Sequence, residues 1–424
     1  MADRRLKVLF VAEAVTLAHV ARPVALASRL DPQRYELVLA CDPRYAQLVG
    51  AGPWQVDTLA SIPVERFTKA LARGAPVYDL PTLQRYVQDD LALIRRHQPD
   101  LVVGDFRLSL SVSARHPSLP QPLPYLTLCN AYWTPGYARA FPMPVLPMTR
   151  LMPLAMAGWF FDTLGPTIMA SHCRPMDALR RQHGLPPLGP DLRRVYTDAD
   201  HRLVPDIEPL YPLPRRDEST SFVGALAWSP AVPLPDWWHE PPPAGRPTLY
   251  LSMGSSGSAG LFNRILEALA MLPVQVLATS AGGPPPRGLP ANVRLARYLP
   301  GDQACARADL VVCNGGSLTT QQAFTAGVPV LGIADNMDQF QNMIPIVEAG
   351  AGELLRADRL SAAALREACL RLARPGMNFC LAMTDLDGLK KVNDTHGHLA
   401  GRMVVGGMGR IIRESIREED HAGL

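Results

Sequence analysis

The sequence predicts an α/β protein built from two doubly wound domains that face one another across a cleft, followed by a short α/β C-terminal fragment. Three observations carry that reading. Short apolar runs alternate with helical patterns from Val8 to Leu128, as expected of parallel strands buried on both faces. A proline-rich passage from Pro205 to Pro247, densest at Pro241-Pro242-Pro243, breaks the alternation. The pattern restarts at Thr248 and leads to a Gly-rich turn, Asn314-Gly315-Gly316-Ser317-Leu318-Thr319, set between an apolar run and a helix.

The elements follow in order. Val8–Ala12 reads as the first buried strand, with a loop through Glu13 to Ala18 and then a helix from about Val20 to Leu30. Tyr35–Ala40 is the second strand. A helix is predicted over Thr82–His97, with Pro81 at its start, where a missing N–H leaves no bond unmade. Asp100–Asp105 is a buried strand ending in an acid, and Tyr125–Leu128 is the next. Past the prolines come Thr248–Ser252, a helix over Phe262–Leu272, and strands at Val274–Thr279, Val293–Ala296, Ala308–Cys313 and Pro329–Ile333. The expected division is a Rossmann-like N-terminal domain over 1–215, a connection over 216–246, a second such domain over 247–376 and a fragment over 377–424.

Composition narrows the function. A chain of 424 residues, 47% hydrophobic, can bury two cores. A net charge of +3 with no Lys/Arg cluster argues against nucleic acid as a partner. The 7 cysteines are scattered, odd in number and without a CxxC, which reads as reduced thiols in a cytoplasmic protein. Val8–Ala12 is too short for a signal-peptide core. The apolar stretch from Phe141 to Phe161 is interrupted by Pro142, Pro144, Pro147, Arg150 and Pro153, so it cannot span a bilayer. It either lines a greasy cleft or touches a membrane surface.

The Gly-rich turn opens a helix. It therefore presents backbone N–H groups and the positive end of the helix dipole, a ready phosphate site. Asp338 and Gln339 lie beyond the next strand, where a carboxylate and an amide could hold sugar hydroxyls. The stretch from Asn314 through Gln322 to Val330, with Met337-Asp338-Gln339-Phe340-Gln341-Asn342, resembles the donor-binding signature of family 1 glycosyltransferases, which are UDP-glycosyltransferase-like and have the GT-B fold.

That resemblance implies roles. Asn314, Gly315, Gly316, Ser317 and Thr319 would bind the donor diphosphate, and Ser255 would reach it from the domain's first turn. Gln322 stands where the family usually has Glu on the ribose, and Tyr298 where an aromatic ring stacks on the base. Asp338 and Gln339 would hold the donor sugar. Asn314 departs from the usual His, and Leu318 from a common Gly or Asn. His19, in the loop after the first strand, with Asp105 ending a later one, resembles the family's His–Asp dyad. His19 would be the general base, and Asp105 would hold it and stabilise its cation.

The implied reaction is inverting transfer of a hexose from a UDP- or dTDP-linked sugar to a hydroxyl of a lipophilic small molecule. No metal or cofactor is expected, because the helix dipole and hydroxyls can offset the departing diphosphate. Trp133 and Trp159, with Tyr132, Phe160 and Met152, are either an acceptor pocket or ordinary core. Trp228, Trp237 and Trp238 are expected between the domains. His172, His183 and His201 read as surface or structural. The alternative reading is a catalytically impaired nucleotide-sugar-binding protein or a fusion remnant.

The tail from Asp385-Leu386-Asp387 to Gly401 resembles the first half of a GGDEF, or diguanylate cyclase, domain. In that family Asp385 would bind metal and Asn393 would contact guanine, while Arg402 replaces a usual Asp. A strand is expected at Cys380–Thr384 and a helix from about Arg402 to Glu418. The sequence stops at Leu424, before the hairpin that gives the module its name, so cyclase activity is not expected. A fusion, a recombination product or a faulty gene assembly would account for the joint.

Overall fold

A computed structural model of the chain describes residues 4–286, 288–373 and 389–415. The chain divides into two compact units, residues 1–378 and 379–424.

The first unit holds two parallel sheets. β1 (Leu6–Ala12), β2 (Tyr35–Cys41), β3 (Trp54–Thr58), β4 (Leu101–Asp105), β5 (Tyr125–Leu128), β6 (His201–Val204) and β7 (Thr220–Phe222) form the first, in the order β3-β2-β1-β4-β5-β6-β7. Strand direction is the same throughout, so helices cover the faces and the strands are apolar runs. Phe10, Leu9 and Val102 are fully buried. The order reverses between β1 and β4, and their carboxyl ends open a crevice there. Ala12 is paired with Asp105, which puts the loop after β1 beside that acid.

The second sheet repeats the plan. β8 (Thr248–Ser252), β9 (Gln275–Thr279), β10 (Val293–Ala296), β11 (Leu310–Cys313), β12 (Val330–Ala334) and β13 (Gly352–Arg356) run in the order β10-β9-β8-β11-β12-β13. Ser252 pairs with Cys313, so the turns after β8 and β11 are neighbours at the switch point. Leu249, Leu251, Val276, Val312 and Leu331 form its core with Ile265 and Leu365 from flanking helices.

Several elements differ from expectation. The first helix is Ala18–Ala27, because the Leu17 carbonyl already accepts from the Ala21 N–H at 2.9 Å. His19 thus sits in the first helical turn and not in the loop before it. β3 was not foreseen, being a short edge strand that is mostly exposed and carries no apolar run. β7 lies inside the expected connection 216–246. Its Thr220 Oγ1 donates to Asp217 at 2.7 Å, and the strand then pairs with β6. A helix of 29 residues, Leu154–Gln182, contains Pro166 and Pro175. Each proline removes one rung of the ladder, and the adjoining turns carry the helix past it.

The second unit is helical over Leu389–Ser415, broken at Gly397 (φ 83°), a left-handed position that glycine occupies without a Cβ clash. Its helix begins earlier than Arg402, and Asn393 falls within it. The expected strand Cys380–Thr384, Asp385 and the end of the helix at Glu418 lie outside the described residues.

Candidate active site

The helix Ala18–Ala27 carries His19 and Arg22 on one face, one turn apart, toward the end of β4. His19 Nδ1 lies 2.7 Å from Asp105 Oδ1. Arg22 grips the same carboxylate with both prongs, Nε to Oδ2 at 2.7 Å and Nη2 to Oδ1 at 2.6 Å. Asp105 is fully buried, so these bonds are charge-assisted in a dry environment. Arg22 Nη2 also lies 2.9 Å from His19 Nδ1, and the tautomer that donates Nδ1–H to Asp105 leaves Nε2 as the basic nitrogen. Phe106 stacks on the imidazole, with centroids 4.8 Å apart and planes at 12°. Its φ of +57°, uncommon for a bulky residue, turns the ring under His19. Arg22 was not foreseen. The signal was its place three residues after His19, where a helix brings side chains together.

The donor side is built by close backbone approaches. Gly315 has φ +81°, and a Cβ there would lie 2.6 Å from Met343 Cγ. Gly316 caps the helix Ser317–Thr325. Its N–H, expected free for phosphate, donates to Asn314 Oδ1 at 3.1 Å. Asn342 Nδ2 ties the turn down through the Gly315 carbonyl at 2.8 Å and Thr320 Oγ1 at 3.0 Å.

Several expected donor residues reach across the cleft. The Leu17 N–H donates to Ser255 Oγ at 2.9 Å. Trp133 Nε1 donates to Asp338 Oδ1 at 2.7 Å, so Trp133 bridges to the donor side as well as facing the acceptor space. Gln322, expected on the ribose, lines the cavity, and its Nε2 donates to the Trp228 carbonyl at 2.7 Å and to Ser229 Oγ at 3.1 Å, tying it to the interdomain connection. Asn336 Oδ1 accepts from the Gln339 N–H at 3.1 Å and Gln339 Oε1 accepts from the Asn336 N–H at 3.4 Å, a capping box that fixes Asp338 in the first turn, and Oε1 also accepts from the Asp335 N–H at 2.8 Å. Gly282 lies against Tyr298, whose hydroxyl a Cβ would approach to 2.3 Å.

One cavity of about 690 Å³ joins the two sides. His19 and Asp105 line it together with Ser255, Tyr298, Asn314, Gly316, Ser317, Thr319, Gln322, Asp338 and Gln339. Gly315 lies behind the lining and shapes the turn. The remainder is largely apolar, including Phe67, Phe106, Trp133, Met148, Phe160 and Tyr196. Trp159 does not belong to it: the ring is 62% exposed. On the helix Leu154–Gln182 the cavity side is Phe161, Leu164, Gly165, Ile168 and His172, at three- and four-residue steps, and Trp159 points off that stripe. His172 lines the cavity with Nε2 held 3.1 Å from the Gly74 carbonyl.

Two facing parallel sheets with a shared cleft at both switch points define the GT-B class of glycosyltransferase. Comparison with known proteins agrees. Residues 263–378 match the family model "Erythromycin biosynthesis protein CIII-like, C-terminal domain". A "PGL/p-HBAD biosynthesis rhamnosyltransferase" of Mycobacterium bovis (strain BCG / Pasteur 1173P2) is 48% identical over 363 residues, covering 85% of this chain and 79% of the relative. An "Inactive PGL/p-HBAD biosynthesis glycosyltransferase" of the same organism is 43% identical over 269 residues, covering 63% of this chain and 71% of the relative. Among solved structures, "Spinosyn Rhamnosyltransferase SpnG complexed with thymidine diphosphate" superposes with TM-score 0.56 at 16% identity, covering 95% of each chain. The chain belongs to the family 1 glycosyltransferases of GT-B fold, with the PGL/p-HBAD biosynthesis enzymes as relatives, and is a glycosyltransferase.

A second family model, "Diguanylate cyclase, GGDEF domain", matches residues 357–423. Its first part overlaps the other match, and there the structure is that of the donor lobe. Leu365, Ala368, Cys369 and Leu372 pack into the core of the second sheet.

Proposed function

We propose that the chain transfers a hexose from a UDP- or dTDP-linked donor to a hydroxyl of a lipophilic small molecule, with inversion. The observation that carries this is the single cavity holding the His19–Asp105 pair opposite the Gly316–Ser317 turn and Asp338. His19 Nε2 takes the proton of the acceptor hydroxyl as its oxygen attacks the anomeric carbon. The bond from that carbon to the diphosphate breaks on the opposite face, and the nucleoside diphosphate leaves toward the helix N-terminus. Asp105 holds the imidazolium until the proton is released. The apolar lining suits a lipophilic acceptor, and the relatives' rhamnosyl transfer and the thymidine diphosphate complex support a dTDP-linked deoxyhexose among the donors. The nucleotide sugar serves as co-substrate, and no cofactor is assigned.

The test is transfer from UDP-glucose and dTDP-rhamnose to a panel of phenolic and aliphatic alcohols, with product configuration read by NMR. His19→Ala is expected to lower kcat by about 100-fold or more. Undiminished transfer by that variant, or retained configuration, overturns the mechanism. A second reading, nucleotide-sugar binding without turnover, draws on the occupied state of Asp338 and Gln322 and on the inactive relative. Calorimetric donor binding with neither transfer nor donor hydrolysis would establish it.

Among the described residues no helix is long and apolar enough to cross a membrane. We place the protein in the cytoplasm, in keeping with described cysteines that are unpaired and buried. Leu151, Met156, Trp159, Leu164 and Ile168 are exposed apolar side chains on the helices Pro147–Leu151 and Leu154–Gln182, and we assign them a peripheral contact with lipid.

A further inference from the structure

We infer that Arg22, Asn130, Asp206 and Gln321 form a buried positioning chain that holds the His19 imidazole in register with the donor-binding helix. The inference rests on the proposed role of His19 as base. The chain is continuous. Arg22, already clamped on Asp105, extends Nη1 to Asn130 Oδ1 at 2.6 Å. Asn130 Nδ2 donates to Asp206 Oδ1 at 2.9 Å, and the Ala131 N–H donates to Asp206 Oδ2 at 2.6 Å. Gln321 Nε2 closes the link, donating to the Pro205 carbonyl at 2.6 Å and to Asp206 Oδ1 at 3.3 Å. Gln321 belongs to the helix Ser317–Thr325, whose first turn is the donor turn. One end of the chain is therefore the base and the other is the element that holds the leaving group.

Burial argues that this is more than glue. Arg22 and Asn130 are 4% exposed, Asp206 1% and Gln321 5%. Apolar side chains would join two lobes without desolvating charges, and buried ionic groups are poor sources of net stability. What hydrogen bonds of fixed length and direction supply is position. Transfer between bound reactants is steep in position, with about 1 Å of error costing on the order of 100-fold. Asp206 is well placed for this work, because its two oxygens accept from the first lobe at Asn130 and Ala131 and from the second at Gln321. Burial also raises its carboxyl to about 6, so the residue is held there at some cost. Asp206 and Gln321 do not line the cavity, so both act through other groups and neither is a catalytic residue.

Gln321→Leu and Asp206→Asn cut the chain without touching substrate. The expected result is a kcat at least tenfold lower for each, with thymidine diphosphate affinity by calorimetry within threefold of wild type. In a His19→Ala background the same changes should leave the residual rate within twofold, since no base remains to be positioned. Should Leu at 321 prevent folding, Gln321→Asn keeps the amide and shortens its reach by one methylene. The proposal is overturned if kcat is unchanged, if donor affinity falls in step with kcat, or if the full loss persists without His19. An active His19→Ala enzyme would instead remove the base assignment itself, and an inactive one beside a normal Gln321→Leu enzyme would remove only the chain.

Discussion

Gln322 shows how one atom can explain a departure from a family pattern. A carboxamide nitrogen at this position donates to the Trp228 carbonyl, which a carboxylate could not do. Gln322→Glu would set a negative charge against that carbonyl in a residue only 5% exposed. The expected outcome is a loss of about 1–3 kcal/mol in urea unfolding, with no gain in donor affinity. The motif alone shows which residue stands at this position, and not that its amide nitrogen is bonded to Trp228 and Ser229. Arg22 was missed for the converse reason. Its importance appears only when Asp105, 83 positions away, is brought beside it.

At the level of elements, what was legible followed from periodicity. The buried strands β1, β2, β4, β5 and β8 stand out as apolar runs because both of their faces are covered. The helix Leu154–Gln182 was illegible because its start reads as the end of a proline-interrupted apolar stretch, and yet it supplies one wall of the cavity. Its outer face makes a separate prediction. Trp159→Ala should weaken binding to phosphatidylcholine–phosphatidylglycerol vesicles about tenfold in co-sedimentation while leaving transfer to a water-soluble acceptor intact. Equal binding by both proteins would remove the lipid contact. The donor turn was the most legible part of the site, since Gly315, at φ +81° and hard against Met343, is demanded by backbone geometry. The cross-lobe bonds of Ser255 and Trp133 were not legible, because they join residues from separate domains.

For the molecule as a whole, the two lobes meet through buried polar groups, and this gives stability a pH signature. Burial lifts the Asp206 carboxyl from the usual 3.8 to about 6, against the opposing pull of the Ala131 N–H, Asn130 and Arg22. The folded protein therefore holds this proton more tightly than the unfolded chain. The contribution is fully present below the unfolded value and is lost as pH rises through the folded one. Wild type should gain on Asp206→Asn by about 1.4 kcal/mol per unit as pH falls from 6 toward 4, read by urea unfolding of both proteins. A flat difference across that window would show that Asp206 titrates normally.

The helix Ala362–Leu372 seals the second core, and the border between the two compact units falls soon after it, at residues 378 and 379. The side chains that close that core, Leu365, Ala368, Cys369 and Leu372, all fall within residues 1–378. A recombination joint at that border would leave the helix that closes the second core on the sugar-handling side, as a wagon uncoupled behind the engine leaves the engine whole.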